Sequence, residues 1–237
     1  MVYSRKVINR FIFTRMDSNI TKEIVIASFN ENTSWTNNIL PGSIVFEYNK
    51  NNKHGAECLP NIGREAHTYL HHICKQYGNF SDYIFFFQGH PFDHTGECLN
   101  IINGNNAVWN SKVQMYFDGY WGYAHNSIGT MWKLDPSLQF NGECLSCRND
   151  GYPHCNEFPN NMLPIKEIWE QLFETLIPDS LEFIPGCQFQ VHKDLIYNKP
   201  IEFWEKLYNM SQTVEYFPWI FERIAPYVFN NNFKIKT

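Results

Sequence analysis

Four polar side chains able to bind a metal, take a proton or donate hydrogen bonds follow directly on an apolar run. Phe85-Phe86-Phe87 leads into Gln88, His90, Asp93 and His94. Histidine beside a carboxylate can hold a divalent ion or act as a base. The plainer alternative is a tight turn in which Asp93 caps the next segment and the histidines bond locally. A second group, Asn61, Gly63, Arg64 and Glu65, falls at a loop-to-helix junction. A helix N-terminus attracts anions, and Arg64 there can hold a phosphate or pair with an acid. The competing reading is a structural Arg64–Glu65 ion pair. Further along, Cys144-x-x-Cys147 with His154 and Cys155 raises a zinc site, although adjacent His154 and Cys155 are poor co-ligands and the spacing is not a standard one. Cys187 reads either as a nucleophile in a cleft segment or as an ordinary buried thiol. His67 and His71 share one helix face at i, i+4, where packing or surface exposure is their expected role.

The elements that must position these groups follow from the apolar patterning. Residues 23–29, EIVIASF, are apolar and β-branched and predict a buried strand; 44–48, IVFEY, predict a second. Ala66, Tyr69, Leu70 and Ile73 recur at helical spacing after the Pro60–Gly63 turn, and Gly78 ends that helix. Tyr83–Phe87 then predicts a strand buried on both faces, because it does not alternate. The strand, helix, strand order points to an α/β fold with a mainly parallel central sheet. In such sheets ligands bind beyond the carboxyl ends of the strands, which is where Gln88 to His94 emerge. Residues 95–160 lack periodicity and read as a long loop-rich insertion. Three helices are predicted later, after Pro164, from Pro200 and over PWIFERIAPYVF, with a turn and strand over 183–196. The expected layout is an N-terminal extension over 1–22, a single domain over 23–230 and a tail over 231–237.

Bulk composition narrows the function. With 43% hydrophobic and 18% charged residues the chain can build a full core. A net charge of -5 with scattered Lys and Arg leaves no basic footprint for DNA or RNA. No window holds the ~18 apolar residues needed to span a bilayer, and the start lacks the apolar stretch of a secretory leader. The expectation is a soluble, cytoplasmic protein with free thiols. The 17% aromatic content fits a bulky core or a cleft lined with rings that stack on sugars or bases.

N-I-G-R-E-A-H-T-Y-L, then S-D-Y-I-F-F-F-Q-G-H-P-F-D-H, and later P-G-C-Q-F-Q-V-H-K-D-L-I and F-E-R, resemble one uncharacterised domain-of-unknown-function family over about residues 23–229. More distantly, the order of elements is similar to that of GT-A type nucleotide-sugar glycosyltransferases. These begin with a strand and a polar loop that holds the base, continue with an N-x-G turn and an Arg-bearing helix, and reach an apolar strand ending in D-x-D. Here Gln88-Gly89-His90 falls where D-x-D would fall. PGCQFQVHKDLI resembles the acceptor-side region of such enzymes, and Glu222-Arg223 resembles their late Glu-Arg.

The resemblance implies a single GT-A-like, Rossmann-like domain that transfers a sugar from a nucleotide-sugar to a glycan or other hydroxyl acceptor. Ser28, Asn30, Glu31, Asn61, Gly63, Arg64, Glu65, Gln88, Gly89 and His90 would bind the donor. Tyr120, Trp121, Gln188 and Lys193 would face the acceptor, with Lys193 also able to offset phosphate charge. Glu222 is the candidate base for the acceptor hydroxyl, with Asp118 behind it. Hard cations want oxygen ligands, so loss of D-x-D leaves three options. A metal, Mn²⁺ or Mg²⁺, is held by His90, Asp93 and His94; the transfer is metal-independent; or activity is lost. No organic cofactor is implied. Two other classes stay open: a metal-dependent hydrolase built on His90, Asp93 and His94, and a non-catalytic glycan-binding fold.

Overall fold

The computed structural model describes residues 20–104, 113–116, 132–134, 164–178, 181–183 and 186–230. Strand β1 (Lys22–Ser28) pairs in parallel with β2 (Ser43–Asn49) on one side and with β4 (Tyr83–Gln88) on the other. Short β3 (Glu57–Cys58) extends β2 in parallel. Strand β8 (Gln188–His192) runs antiparallel to β4, and β5 (Val113–Tyr116) antiparallel to β8. The sheet order is β3-β2-β1-β4-β8-β5, so β8 alone opposes the common direction. A separate antiparallel pair joins β6 (Trp132–Leu134) and β7 (Leu181–Phe183). The mixed α/β, mainly parallel architecture expected from the sequence is therefore the one observed.

The triple phenylalanine finds its explanation in two cores. Phe85 and Phe87 join Ile24 and Ile26 on one sheet face, under Trp35 and the short helix α2 (Cys98–Asn103). Phe86 and Ile84 join Val25, Phe189 and Val191 on the other. That second face is covered by α1 (Arg64–Gln76), α3 (Ile165–Phe173), α5 (Ile201–Thr213) and α6 (Phe217–Phe229). A central strand with both faces buried has no polar positions to spare, so the apolar run is continuous. Helix α1 buries Ala66, Tyr69, Leu70 and Ile73 at the predicted spacing. Helix α4 (Lys193–Tyr197) continues directly from β8. The helix over 98–103 departs from the loop expected there. It buries only Cys98 and Ile102, one turn apart, which is too short a pattern to register as periodicity. Pro226 lies inside α6, where it has no N–H to give the carbonyl of Glu222.

One polar network crosses the larger core. His72 on α1 bridges the Glu23 carboxylate and the Tyr48 hydroxyl, each at 2.9 Å, and the backbone N–H of Ser81 donates to the second Glu23 oxygen at 3.0 Å. All three side chains are essentially inaccessible, so each needs its partners.

Candidate functional site

The chain steps outward from β1 to β2 to β3, then returns through α1 to β4 on the other side of β1. The carboxyl ends of β1 and β4 therefore part at a topological switch point, the position where open α/β sheets form their ligand crevice. Ala27 pairs with Gln88, so the segments leaving the two strands start side by side. Glu31 fills the gap between them. Its Oε2 accepts from the Phe29 N–H at 2.5 Å. A Cβ at position 89 would stand 2.8 Å from that oxygen, so a larger residue there would push the Glu31 side chain aside. Buried Trp35 donates its indole N–H to the Gly89 carbonyl at 2.8 Å and fixes the turn from the other side.

The base of the crevice beside β2 is a closed polar net. Glu47 accepts from Ser28 Oγ at 3.0 Å, from Thr33 Oγ1 at 3.1 Å and from Lys53 Nζ at 2.6 Å. Asn49 Nδ2 donates to the Phe29 carbonyl at 2.8 Å, and Asn51 donates to Asn30 Oδ1. Ser28 is thus a buried support for the loop, whereas Asn30 and Glu31 stand on its exposed side.

Beyond β4 the polar residues of the strand end diverge. Gln88 Nε2 donates to the Gly186 carbonyl at 3.1 Å, and Gln188 Nε2 to the Pro91 carbonyl at 3.2 Å. His90 Nδ1 stands 3.3 Å from Asp93 Oδ2, both side chains half exposed. His94 instead packs its ring against Gly186, where a Cβ would meet its Cγ at 2.9 Å. The three expected metal ligands are therefore one pair and one outlier. Among the described residues no three His, Cys, Asp or Glu side chains converge on a common point. One imidazole and one carboxylate, already facing each other, do not make a cage for a hard divalent cation.

The third wall is the start of α1 against α6. Gly63 (φ 58°) touches α5 so closely that a Cβ would lie 2.4 Å from the Ser211 carbonyl. Arg64 follows in the same left-handed region, at φ 44°. Lys50, just past β2, reaches into this junction. It donates to the Ile62 carbonyl, to the Arg64 carbonyl at 2.5 Å and towards His67 Nδ1 at 3.5 Å. Burial lowers its pKa to about 8, against a partial restoring pull from Glu65. The Arg64 guanidinium remains 57% exposed and lies over the Trp219 ring at 5.2 Å.

Behind Arg64 the side chains close in. Glu65 is 15% exposed and stands 3.6 Å from Arg64 Nε. Burial raises its pKa, Arg64 and Lys50 pull it down, and Glu222 pushes it up. Glu222 Oε1 accepts from the Gly186 N–H at 2.5 Å, and its Oε2 from Arg223 at 3.1 Å. Arg223 also donates to the Trp219 carbonyl at 2.7 Å and covers the Phe183 ring at 4.9 Å. Cys187 is fully buried, and burial holds its thiol well above the ordinary range, which makes it a poor nucleophile.

The structure thus brings together Ser28, Asn30, Glu31, Asn61, Gly63, Arg64, Glu65, Gln88, Gly89, His90, Gln188 and Glu222 around the carboxyl end of the sheet. Lys193 is corrected. The antiparallel run of β8 carries it to the amino end of β4, where its Nζ pairs with Asp82 Oδ1 at 2.7 Å. It cannot meet a ligand held at Gln88, because β4 itself lies between them. Asp118, Tyr120 and Trp121 lie outside the described residues, as do Cys144, Cys147 and Cys155. His67 packs in the interior against Tyr208, rather than on the surface, while His71 meets Glu57 at 3.2 Å. Sequence reasoning missed Trp35, Lys50 and Trp219. Only Trp219 left a signal, lying one helical turn before Glu222.

No curated protein and no solved structure matches this chain. Residues 24–236 match the family described as "Protein of unknown function (DUF3431)". That range takes in both walls of the crevice and the elements that carry them, and the chain belongs to this family.

Proposed function

We propose that the chain is a glycosyltransferase-like enzyme of GT-A-like fold, taking a nucleotide-sugar as donor and a glycan or other hydroxyl as acceptor. The observation that carries this reading is the convergence of three features at one switch point: the polar loop after β1, the turn after β4, and the N-terminus of α1 with the exposed Arg64 guanidinium. A diphosphate wants an exposed cation and helix N–H groups at one place. The loop from Phe29 to Glu31 offers hydrogen-bonding groups for a base or ribose on the neighbouring side. Arg64, stacked on Trp219, would take the diphosphate, with His90 beside it. In the reaction the acceptor oxygen bonds to the anomeric carbon as the bond to the diphosphate breaks. The diphosphate leaves with that electron pair, and the acceptor proton goes to a base. Gln188 is buried, so its part would be to support the Pro91 turn. No helix among the described residues is long and apolar enough to cross a membrane.

The divergence of His94 from the His90–Asp93 pair gives the hydrolase reading no three-ligand centre among the described residues. The test is thermal stability of the purified protein against UDP, GDP and their sugars, with and without Mn²⁺. A ligand that binds only the folded state raises the melting temperature by mass action. The expected result is a rise with one nucleoside diphosphate that falls by about tenfold in affinity in Arg64→Ala. No rise with any nucleotide sinks the transferase. A rise with metal alone would leave the hydrolase, and no response to nucleotide or metal the non-catalytic binding fold.

A further inference from the structure

Two carboxyl groups flank the turn that starts β8, and each is joined in sequence to its own arginine: Arg64-Glu65 on α1 and Glu222-Arg223 on α6. Their surroundings differ sharply. Both oxygens of Glu222 are taken, one by the Gly186 N–H at 2.5 Å and one by Arg223 at 3.1 Å. Such a carboxylate has no oxygen left unpartnered for an incoming hydroxyl and is occupied in holding the Gly186–Cys187 turn. Glu65 accepts a hydrogen bond from its own main-chain N–H but is held less tightly by side chains. Its nearest cation is Arg64 Nε at 3.6 Å, beyond hydrogen-bond length, and that guanidinium is shared with the Trp219 ring. Yet Glu65 is nearly buried, on the first turn of the helix that forms the crevice wall.

The ionisable groups that face Glu65 come from every element around it. They are Arg64 and, one turn on, Tyr69 from α1; Lys50 from the end of β2; Glu222 from α6; and Cys187 ahead of β8. Tyr69 is fully buried, and its hydroxyl has no hydrogen-bond partner among the described residues. The two carboxyls therefore differ in access: both Glu222 oxygens are engaged in holding the turn, while Glu65 has no side-chain donor at hydrogen-bond length.

Resting on the transferase reading above, we propose that Glu65, and not Glu222, is the group that takes the acceptor's proton at this crevice. As the acceptor oxygen bonds to the anomeric carbon, its proton passes to a Glu65 carboxylate oxygen, and the nucleoside diphosphate departs with the electrons of the broken bond. The slight opening of Glu65 beside exposed Arg64 gives the hydroxyl its approach. Burial, which favours the protonated form, makes the ionised carboxylate a stronger base than a solvated one.

The experiment uses the full chain and the nucleotide identified by thermal shift. Turnover of that nucleotide's sugars, by transfer or by hydrolysis to water, is followed from pH 4 to 9 in wild type, Glu65→Gln, Glu65→Asp and Glu222→Gln. Glu65→Gln should lose about 100-fold or more in kcat while its affinity for the nucleoside diphosphate stays within about threefold. Wild-type kcat should rise with pH along an ionisation limb that Glu65→Gln lacks. Glu65→Asp, which keeps a carboxyl, should recover part of the rate, and this separates lost chemistry from lost folding. Turnover retained in Glu65→Gln, or a pH limb lost in Glu222→Gln instead, overturns the assignment. Nucleotide bound but no sugar turned over by wild type also overturns it, with the binding reading left standing. No nucleotide bound removes the transferase reading and Glu65 with it.

Discussion

The two ends of the central sheet treat charge in opposite ways. At the amino end the acids Asp82 and Glu23 are answered. Asp82 accepts from the Thr21 N–H at 2.8 Å, from Thr21 Oγ1 at 3.0 Å and from Lys193 at 2.7 Å, and its pKa falls to about 2. Buried Glu23 is held by His72 and Ser81. At the carboxyl end Glu47 is answered too, but two groups at the α1 wall are held against their charges. Lys50 is lowered to about 8 and Glu65 is raised, each by burial. Stability is served by environments that favour the charged form. Chemistry is served by environments that bring a group's ionisation towards working pH. The contrast sets the α1 corner of the carboxyl end apart from the amino end in its electrostatics.

The comparison can be broken most forcefully at the amino end. Replacing His72 by Phe strands the Glu23 carboxylate in the core and should cost about 3–5 kcal/mol in urea unfolding. Nucleotide binding should not change once the variant is folded. A loss below about 1 kcal/mol would mean the network is not a structural anchor.

The pH dependence sharpens the contrast, because the two ends should respond in separate pH windows, one acidic and one alkaline. Asp82 has a folded-state pKa of about 2, below its ordinary 3.8. Its stabilisation is therefore present above pH 3.8 and is lost as pH falls towards 2. With allowance for solvent screening it contributes about 1 kcal/mol. Asp82→Asn should lose that much at pH 7 and converge on wild type near pH 2. Lys50 is lowered from 10.5 to about 8. The unfolded chain binds its proton more tightly, so stability should rise between pH 8 and 10.5. Lys50→Met should flatten that rise, and an unchanged slope would mean that Lys50 is not desolvated.

The smallest effect tests the same division. Lys193→Ala should cost under about 1 kcal/mol, as partly exposed ion pairs do, and leave nucleotide affinity untouched. Arg64→Ala should show the reverse, with melting temperature nearly constant and binding weakened. Equal effects of both variants on binding would erase the distinction between the ends.

Much of this fold was legible because it is local. EIVIASF, YIFFFQ and the apolar spacing of α1 each announce their element from within about ten residues, and the burial of the triple phenylalanine on both faces follows from its lack of alternation. The place of Gln88 at the carboxyl end of a central strand was therefore foreseeable. What escaped was long-range. Nothing near Lys193 states that β8 runs antiparallel and carries it away from the crevice. Nothing near Glu222 states that the Gly186 N–H and Arg223 take both its oxygens. The reach of Lys50 into the Ile62–Arg64 turn depends on β2 and α1 meeting in space. The two-contact helix over 98–103 escaped for the opposite reason, being too short to show a period.

Pro226 leaves one rung missing from the wall of the crevice. The carbonyl of Glu222 loses its main-chain donor there, yet the turns before it bury Phe217, Ile220 and Phe221 as deeply as the turns after it bury Ala225 and Val228. Side-chain packing on both sides of the gap, rather than the helix ladder, then has to keep α6 in line, so Phe221→Ala should disturb the Trp219–Glu222 segment more than the loss of one backbone hydrogen bond does.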